Sequence, residues 1–132
     1  MKVNRAILPA VLWTLFIASS CLLPASAFKK FTFDSLSQLD KLIHLILYVV
    51  FVMLWALSLK RVLTIKEKLV LLLVSVAYGV LIEVLQSAMA LGRSYDIDDI
   101  IANTVGCFLG ILLMSFIARK MPLLKNRLPF LR

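Results

Sequence analysis

The stretch GRSYDIDDIIANTVG, from Gly92 to Gly106, sets Arg93, Asp96, Asp98 and Asp99 within seven residues. Carboxylates at this density cap a helix, hold a hard cation, or trade protons with a neighbouring base. Two partners elsewhere in the chain could join them, His44, the single histidine, and Glu83, with Asn103 from the same stretch. Arg93, planar and permanently charged, can bridge two carboxylates bidentately. The chemistry open to such a set is headgroup recognition, cation binding or general acid–base transfer.

The elements that must carry these residues are strongly apolar. Of 132 residues, 62% are hydrophobic, against about 45–50% in an average soluble domain. That surplus implies an all-α membrane protein, a bundle of four transmembrane helices forming one domain over residues 1–132. Apolar segments near the ~20 residues a span needs fall at about 6–23, 42–59, 69–90 and 100–118. The formal charge of +8 has no soluble basic face behind it, so no nucleic-acid partner is expected. Cys21 and Cys107 both lie in apolar runs without a CxxC or a His/Cys cluster. Neither a disulfide framework nor a zinc site is suggested, no cofactor is expected, and no metal is assigned.

Lysine and arginine positions set the orientation. Lys2, Arg5, Lys60, Arg61, Lys66, Lys68, Arg119, Lys120, Lys125, Arg127 and Arg132 fall on one side, eleven of the fifteen basic residues. Lys29, Lys30, Lys41 and Arg93 fall on the other. Both termini are therefore expected in the cytoplasm. Six of the seven acidic residues, all but Glu67, then lie outside or in the outer half of a helix. The Ala25-Ser26-Ala27 tripeptide fits a signal-peptidase site. Its apolar stretch of 18 residues exceeds the ~7–15 of a usual signal segment, which favours an uncleaved anchor.

Helical spacing then sorts the polar residues. Asp40, His44 and Tyr48 run i, i+4, i+8 along one face of the second span. Glu83 and Gln86 are i, i+3 in the third, on the face of Gly79. Asp99, Asn103, Gly106 and Gly110 form one stripe of the fourth, and Gly106-x-x-x-Gly110 lets another helix approach closely. Asp96 and Asp99 resemble a capping pair. An ionisable group at a helix centre in hydrocarbon costs about 2.5–3.5 kcal/mol on insertion scales, so these stripes are expected to face inward. They predict one outer-face layer of His44, Tyr48, Glu83, Gln86, Arg93, Asp96, Asp99 and Asn103, with Gly79, Gly106 and Gly110 as packing positions. The plainer alternative makes His44 a core residue, Tyr48 an interface anchor and Glu83 half of an internal ion pair.

These residues also resemble a known family. Asp40-Lys41-x-x-His44-x-x-x-Tyr48, then Gly79-x-x-x-Glu83-x-x-Gln86, then Arg93-Ser94-x-Asp96-x-x-Asp99-x-x-x-Asn103-Thr104-x-Gly106-x-x-x-Gly110 is similar to the VanZ-like bacterial membrane proteins. Ser19-Ser20 matches as well, although Cys21-Leu22 stands where that family often has Gln-Pro. The resemblance implies four membrane helices in a bacterial cytoplasmic membrane. The family's namesake is associated with low-level teicoplanin resistance, which does not extend to every member. No catalytic residue carries over.

Three functions fit. The first is a binding protein whose outer pocket takes an envelope lipid, a lipid-linked cell-wall precursor or a glycopeptide-type amphiphile. The second is an enzyme on a lipid-linked substrate, with Glu83 or Asp99 as base and His44 as proton partner, or with a hard divalent cation on the carboxylates. The third is a structural subunit docking a membrane-protein partner.

Overall fold

The structure, a computed structural model, describes residues 6–23, 36–59, 61–89 and 95–127. Arg93 and the Ala25-Ser26-Ala27 tripeptide lie outside the described residues. Four helices follow in order: α1 (Ile7–Cys21), α2 (Leu36–Ser58), α3 (Ile65–Ala88) and α4 (Ile97–Arg127). Among the described residues there is no strand. The all-helical expectation holds.

Three of the four helices are long and apolar enough to cross a membrane, over Leu39–Ser58, Ile65–Ala88 and Ile97–Lys120. The fourth, α1, has 15 residues and so a length of ~22 Å at ~1.5 Å per residue, short of a ~30 Å hydrocarbon core. It closes with the Leu22 amide on the Ala18 carbonyl at 3.0 Å. Pro24 stands two residues on, and a proline disfavours helical backbone in the residue before it.

Helix ends depart from the apolar windows because caps, not lipid contact, decide them. At α3 the Thr64 hydroxyl accepts the Glu67 amide, and the Glu67 carboxylate accepts the Thr64 amide at 2.9 Å. This reciprocal capping box satisfies two otherwise orphaned donors and starts the helix four residues before the apolar window. At α4 the Asp96 carboxylate accepts the Asp98 amide at 2.8 Å. Asp98 and Asp99 occupy the first turn, where negative charge opposes the helix dipole favourably.

The bundle is apolar outside and partly polar inside. Leu8, Leu15, Val70, Leu73, Phe108 and Phe116 are exposed, while Ser75, Glu83, Gln86 and Asn103 are buried. Such a pattern suits a solvent of acyl chains. The most extensive contact joins α2 to α4, and two glycines explain it. A Cβ on Gly106 would collide with the Leu45 carbonyl oxygen, and one on Gly110 would sit 3.0 Å from the Val49 carbonyl oxygen. The two backbones therefore lie against each other.

Helix α1 is held differently. Trp13 Nε1 donates to the Leu47 carbonyl at 3.0 Å, and Trp55 Nε1 donates to Thr14 Oγ1 at 3.1 Å. From α3, Tyr78 donates its hydroxyl to the Thr14 carbonyl at 2.7 Å, and Gln86 donates to the Cys21 carbonyl. Ser19 and Ser20 turn their hydroxyls back onto the Phe16 carbonyl at 3.0 and 2.7 Å. Ile17, Cys21, Tyr48, Phe51, Val52, Ile82 and Cys107 form the core between these helices.

Candidate functional site

At the end of the bundle where α2 and α4 begin and α3 finishes, polar side chains from all three helices meet. His44 and Asn103 are both buried, and His44 Nδ1 lies 3.1 Å from Asn103 Oδ1. This bond ties α2 to α4 just above the glycine contact. Gly79 brings α3 in: its missing side chain leaves room for Asn103 Cβ and Tyr48 Cε1, each 3.3 Å from where a Cβ would stand. Glu83, one helical turn on from Gly79, is 0% exposed and within electrostatic reach of Tyr48.

Asp99 points inward too. It is 4% exposed, and its Oδ2 lies 4.0 Å from His44 Nε2. Asp40 approaches the same nitrogen from the preceding turn of α2, also at 4.0 Å. The remaining aspartates form a rim. Lys41 Nζ reaches Asp96 at 3.3 Å, Asp98 at 3.4 Å and Asp99 at 3.9 Å. The Asp98 backbone amide holds the Asp96 carboxyl below the usual carboxylate range, with Lys41 adding to the effect.

The three aspartates thus divide their work. Asp96 caps α4, Asp98 sits at the exposed rim, and Asp99 enters the buried layer. The pairing of Asp96 with Asp99 as joint caps gives way to this division because residue 99 lies on the α2-facing side of the first turn.

Of the eight residues grouped by spacing, His44, Tyr48, Glu83, Asp99 and Asn103 lie in the layer, and Asp96 lies on its rim. Gln86 is buried, but its amide serves the end of α1 instead. Arg93 is outside the described residues. The cation that gathers the aspartates among the described residues is Lys41, part of the Asp40-Lys41-x-x-His44 motif and of the outer basic set, though outside the eight residues grouped by spacing. Its signal was present: Lys41 is three residues before His44, on the same side of the helix.

Polar capacity remains inside the layer. Tyr48 Oη, Asp99 Oδ1 and Asn103 Nδ2 are sealed from solvent with no hydrogen-bond partner among the described residues. Buried polar atoms are usually bonded, so these three can still engage a ligand or an ion. The other half of the bundle holds an open groove of about 530 Å³ between α1, α2 and α3, walled by Phe51, Trp55, Val70, Val74 and Tyr78. Of the polar groups on its wall, Thr14 is engaged by Trp55 and Tyr78 and Glu67 by Arg61, and Lys66 adds a positive charge. That groove offers apolar surface and little chemistry.

The family model described as VanZ/LLP1 matches residues 5–118. No curated protein and no solved structure matches the chain.

Proposed function

Since the chain belongs to the VanZ/LLP1 family and carries a buried polar layer at one end of its bundle, we propose that it is a membrane-embedded binding protein. The layer takes the polar part of an envelope amphiphile: a lipid headgroup, a lipid-linked cell-wall precursor or a glycopeptide-type molecule. The observation that carries this reading is the convergence of His44, Glu83, Asp99 and Asn103 from three helices. Each is costly to bury, and packing alone is already supplied by Gly106 and Gly110. Mixed-sign groups at the rim, Lys41 beside Asp96 and Asp98, suit amide, sugar or phosphate functions.

In this reading α1 completes four crossings of a bacterial cytoplasmic membrane, its shortfall in length taken up by local thinning of the bilayer, so that both termini lie in the cytoplasm and the polar layer opens outward. Support comes from the sequence, whose order of spans assigns eleven of the fifteen basic residues to the side away from the layer, the mark of a cytoplasmic side. Reporter fusions to each terminus test it.

The decisive experiment purifies the chain with its native lipids and identifies co-purifying amphiphiles by mass spectrometry. Glu83→Gln and Asp99→Asn are expected to lose the bound species tenfold or more while remaining folded. Equal retention by the wild type and both variants would sink the reading. Teicoplanin susceptibility of cells with and without the gene tests whether binding confers resistance.

An imidazole flanked by Asp40 and Asp99 favours a second reading, an enzyme on a lipid-linked substrate. There His44 exchanges a proton with a carboxylate.

A further inference from the structure

We propose that Asp40, His44 and Asp99 form a site for one divalent transition-metal ion, of the zinc, manganese or iron(II) class, bridging α2 and α4. One ligand atom from each residue lies within 4.8 Å of the others.

The argument begins with a tautomer. Asn103 Oδ1 can only accept a hydrogen bond, so His44 Nδ1, 3.1 Å away, must carry the hydrogen. In neutral imidazole the lone pair then sits on Nε2. That nitrogen faces Asp40 Oδ1 and Asp99 Oδ2 at 4.0 Å each, beyond hydrogen-bond reach. Three electron-pair donors therefore converge, and His44 and Asp99 are both more than nine-tenths buried. Lone pairs brought this close repel unless a proton or a metal ion lies among them. A histidine that donates its other ring N–H to an oxygen acceptor is also the usual arrangement around a bound metal.

The second observation is Asp99 itself. Its Oδ1 is buried without a hydrogen-bond partner among the described residues, and its one cationic neighbour there is Lys41 at 3.9 Å. Lys41 is drawn more closely to Asp96 and Asp98. Among the described residues one ammonium, Lys41, is thus shared by three carboxylates, and a divalent cation beside Asp99 relieves that excess.

The donor set selects the ion class. One imidazole nitrogen with two carboxylate oxygens suits zinc, manganese or iron(II) more than calcium or copper. Bonds of ~2.0–2.2 Å in a tetrahedral site put ligand atoms roughly 3.4 Å apart. Closing the three atoms from within 4.8 Å of one another takes up to about 1.4 Å of side-chain motion. The Asp40 side chain, 48% exposed, supplies an entry path from water. Three protein ligands leave one position open to a headgroup oxygen, so the inference deepens the binding reading and rests on it only for the fourth ligand.

The test uses the full chain without a histidine tag, in detergent, stripped with chelator and titrated with Zn²⁺ by calorimetry. Co²⁺ serves as a spectroscopic substitute. The expected result is one ion per chain with a visible Co²⁺ ligand-field spectrum. His44→Gln and Asp99→Asn should abolish it, and Asn103→Ala should weaken Zn²⁺ binding by about 10–100-fold. Asp40→Asn, at the exposed ligand, keeps the test sound if a buried variant fails to fold, and should weaken binding at least tenfold. Equal Zn²⁺ affinity in wild type and Asp40→Asn, or no ion retained by folded wild type, overturns the metal site and leaves His44 as a proton site. Lipid retention measured with chelator present reports on the binding reading alone, so each can fail without the other.

Discussion

Along the seam of α2 and α4 the chain meets itself backbone to backbone, at Gly106 against Leu45 and Gly110 against Val49. Helix α1 is instead held by side chains that reach across: Trp13, Trp55, Tyr78 and Gln86. The contrast follows from what drives helix association in lipid. No hydrophobic gain separates a helix from the acyl chains around it, so close approach and hydrogen bonds must do the work. One seam uses the first and the other the second. Their tolerance of change should differ accordingly, because a backbone cannot yield as a side chain can.

The largest effect is expected at Gly106→Ala. Its Cβ would meet a carbonyl oxygen of α2, so the helices must part, costing about 3 kcal/mol, the upper part of the overpacking range. Gly110→Ala, whose Cβ would stand 2.9 Å from Val52 Cβ and 3.0 Å from the Val49 carbonyl oxygen, should cost somewhat less, since its closest approach is longer than that at Gly106. Unfolding of the purified chain by graded denaturant would measure both. Wild-type stability in the two variants would mean that this seam is not built on backbone contact.

The α1 seam should give smaller losses. Trp55→Phe and Tyr78→Phe each remove one interhelical hydrogen bond, worth on average ~0.6 and at most ~1.7 kcal/mol in membrane proteins. Both bonds end on Thr14, so a double-mutant cycle should show non-additivity. A loss in either variant as great as that of Gly106→Ala would erase the distinction between the seams.

Acid should touch the rim that joins α2 and α4 and leave α1 alone. Asp96 has a depressed carboxyl, so its contribution is complete above the ordinary carboxylate range and is lost as pH falls through its lowered value. Comparing Asp96→Asn with wild type over a pH series, the stability gap should be open at neutral pH and close in acid. A gap independent of pH would remove the carboxylate from the account. The smallest effect belongs to Gly79→Ala. Its nearest neighbours stand at 3.3 Å and are side-chain atoms of Tyr48 and Asn103, so a cost below ~1 kcal/mol is expected.

Much of this could be read before any coordinates. Periodicity found the buried faces, because a polar stripe in an apolar helix must turn inward: His44, Glu83, Asp99 and Asn103 all did. Periodicity does not find partners. Gln86 shares a face with Glu83 yet bonds to the end of α1, a residue 65 positions away. Lys41 meets Asp96 across 55 positions, a pairing that depends on how deeply two helices slide past one another. The hooks of Trp13 and Tyr78 were equally hidden, since an aromatic in a span looks the same whether it faces lipid or a carbonyl. Helix ends followed local caps at Thr64 and Asp96 that hydropathy windows do not register.

The turn ahead of α3 carries a consequence for the opposite end of the molecule. Glu67 is the lone acid among the basic flanks, and its carboxylate is fully engaged by Arg61 and by the Thr64 amide and hydroxyl. The one countercharge on that side is thereby internally cancelled. What remains at that end, among the described residues, is a single-signed collar of Lys66, Lys68, Arg119 and Lys120. In the proposed orientation such a collar works as ballast, drawn to anionic phospholipid and resisting any inversion of the protein across the bilayer.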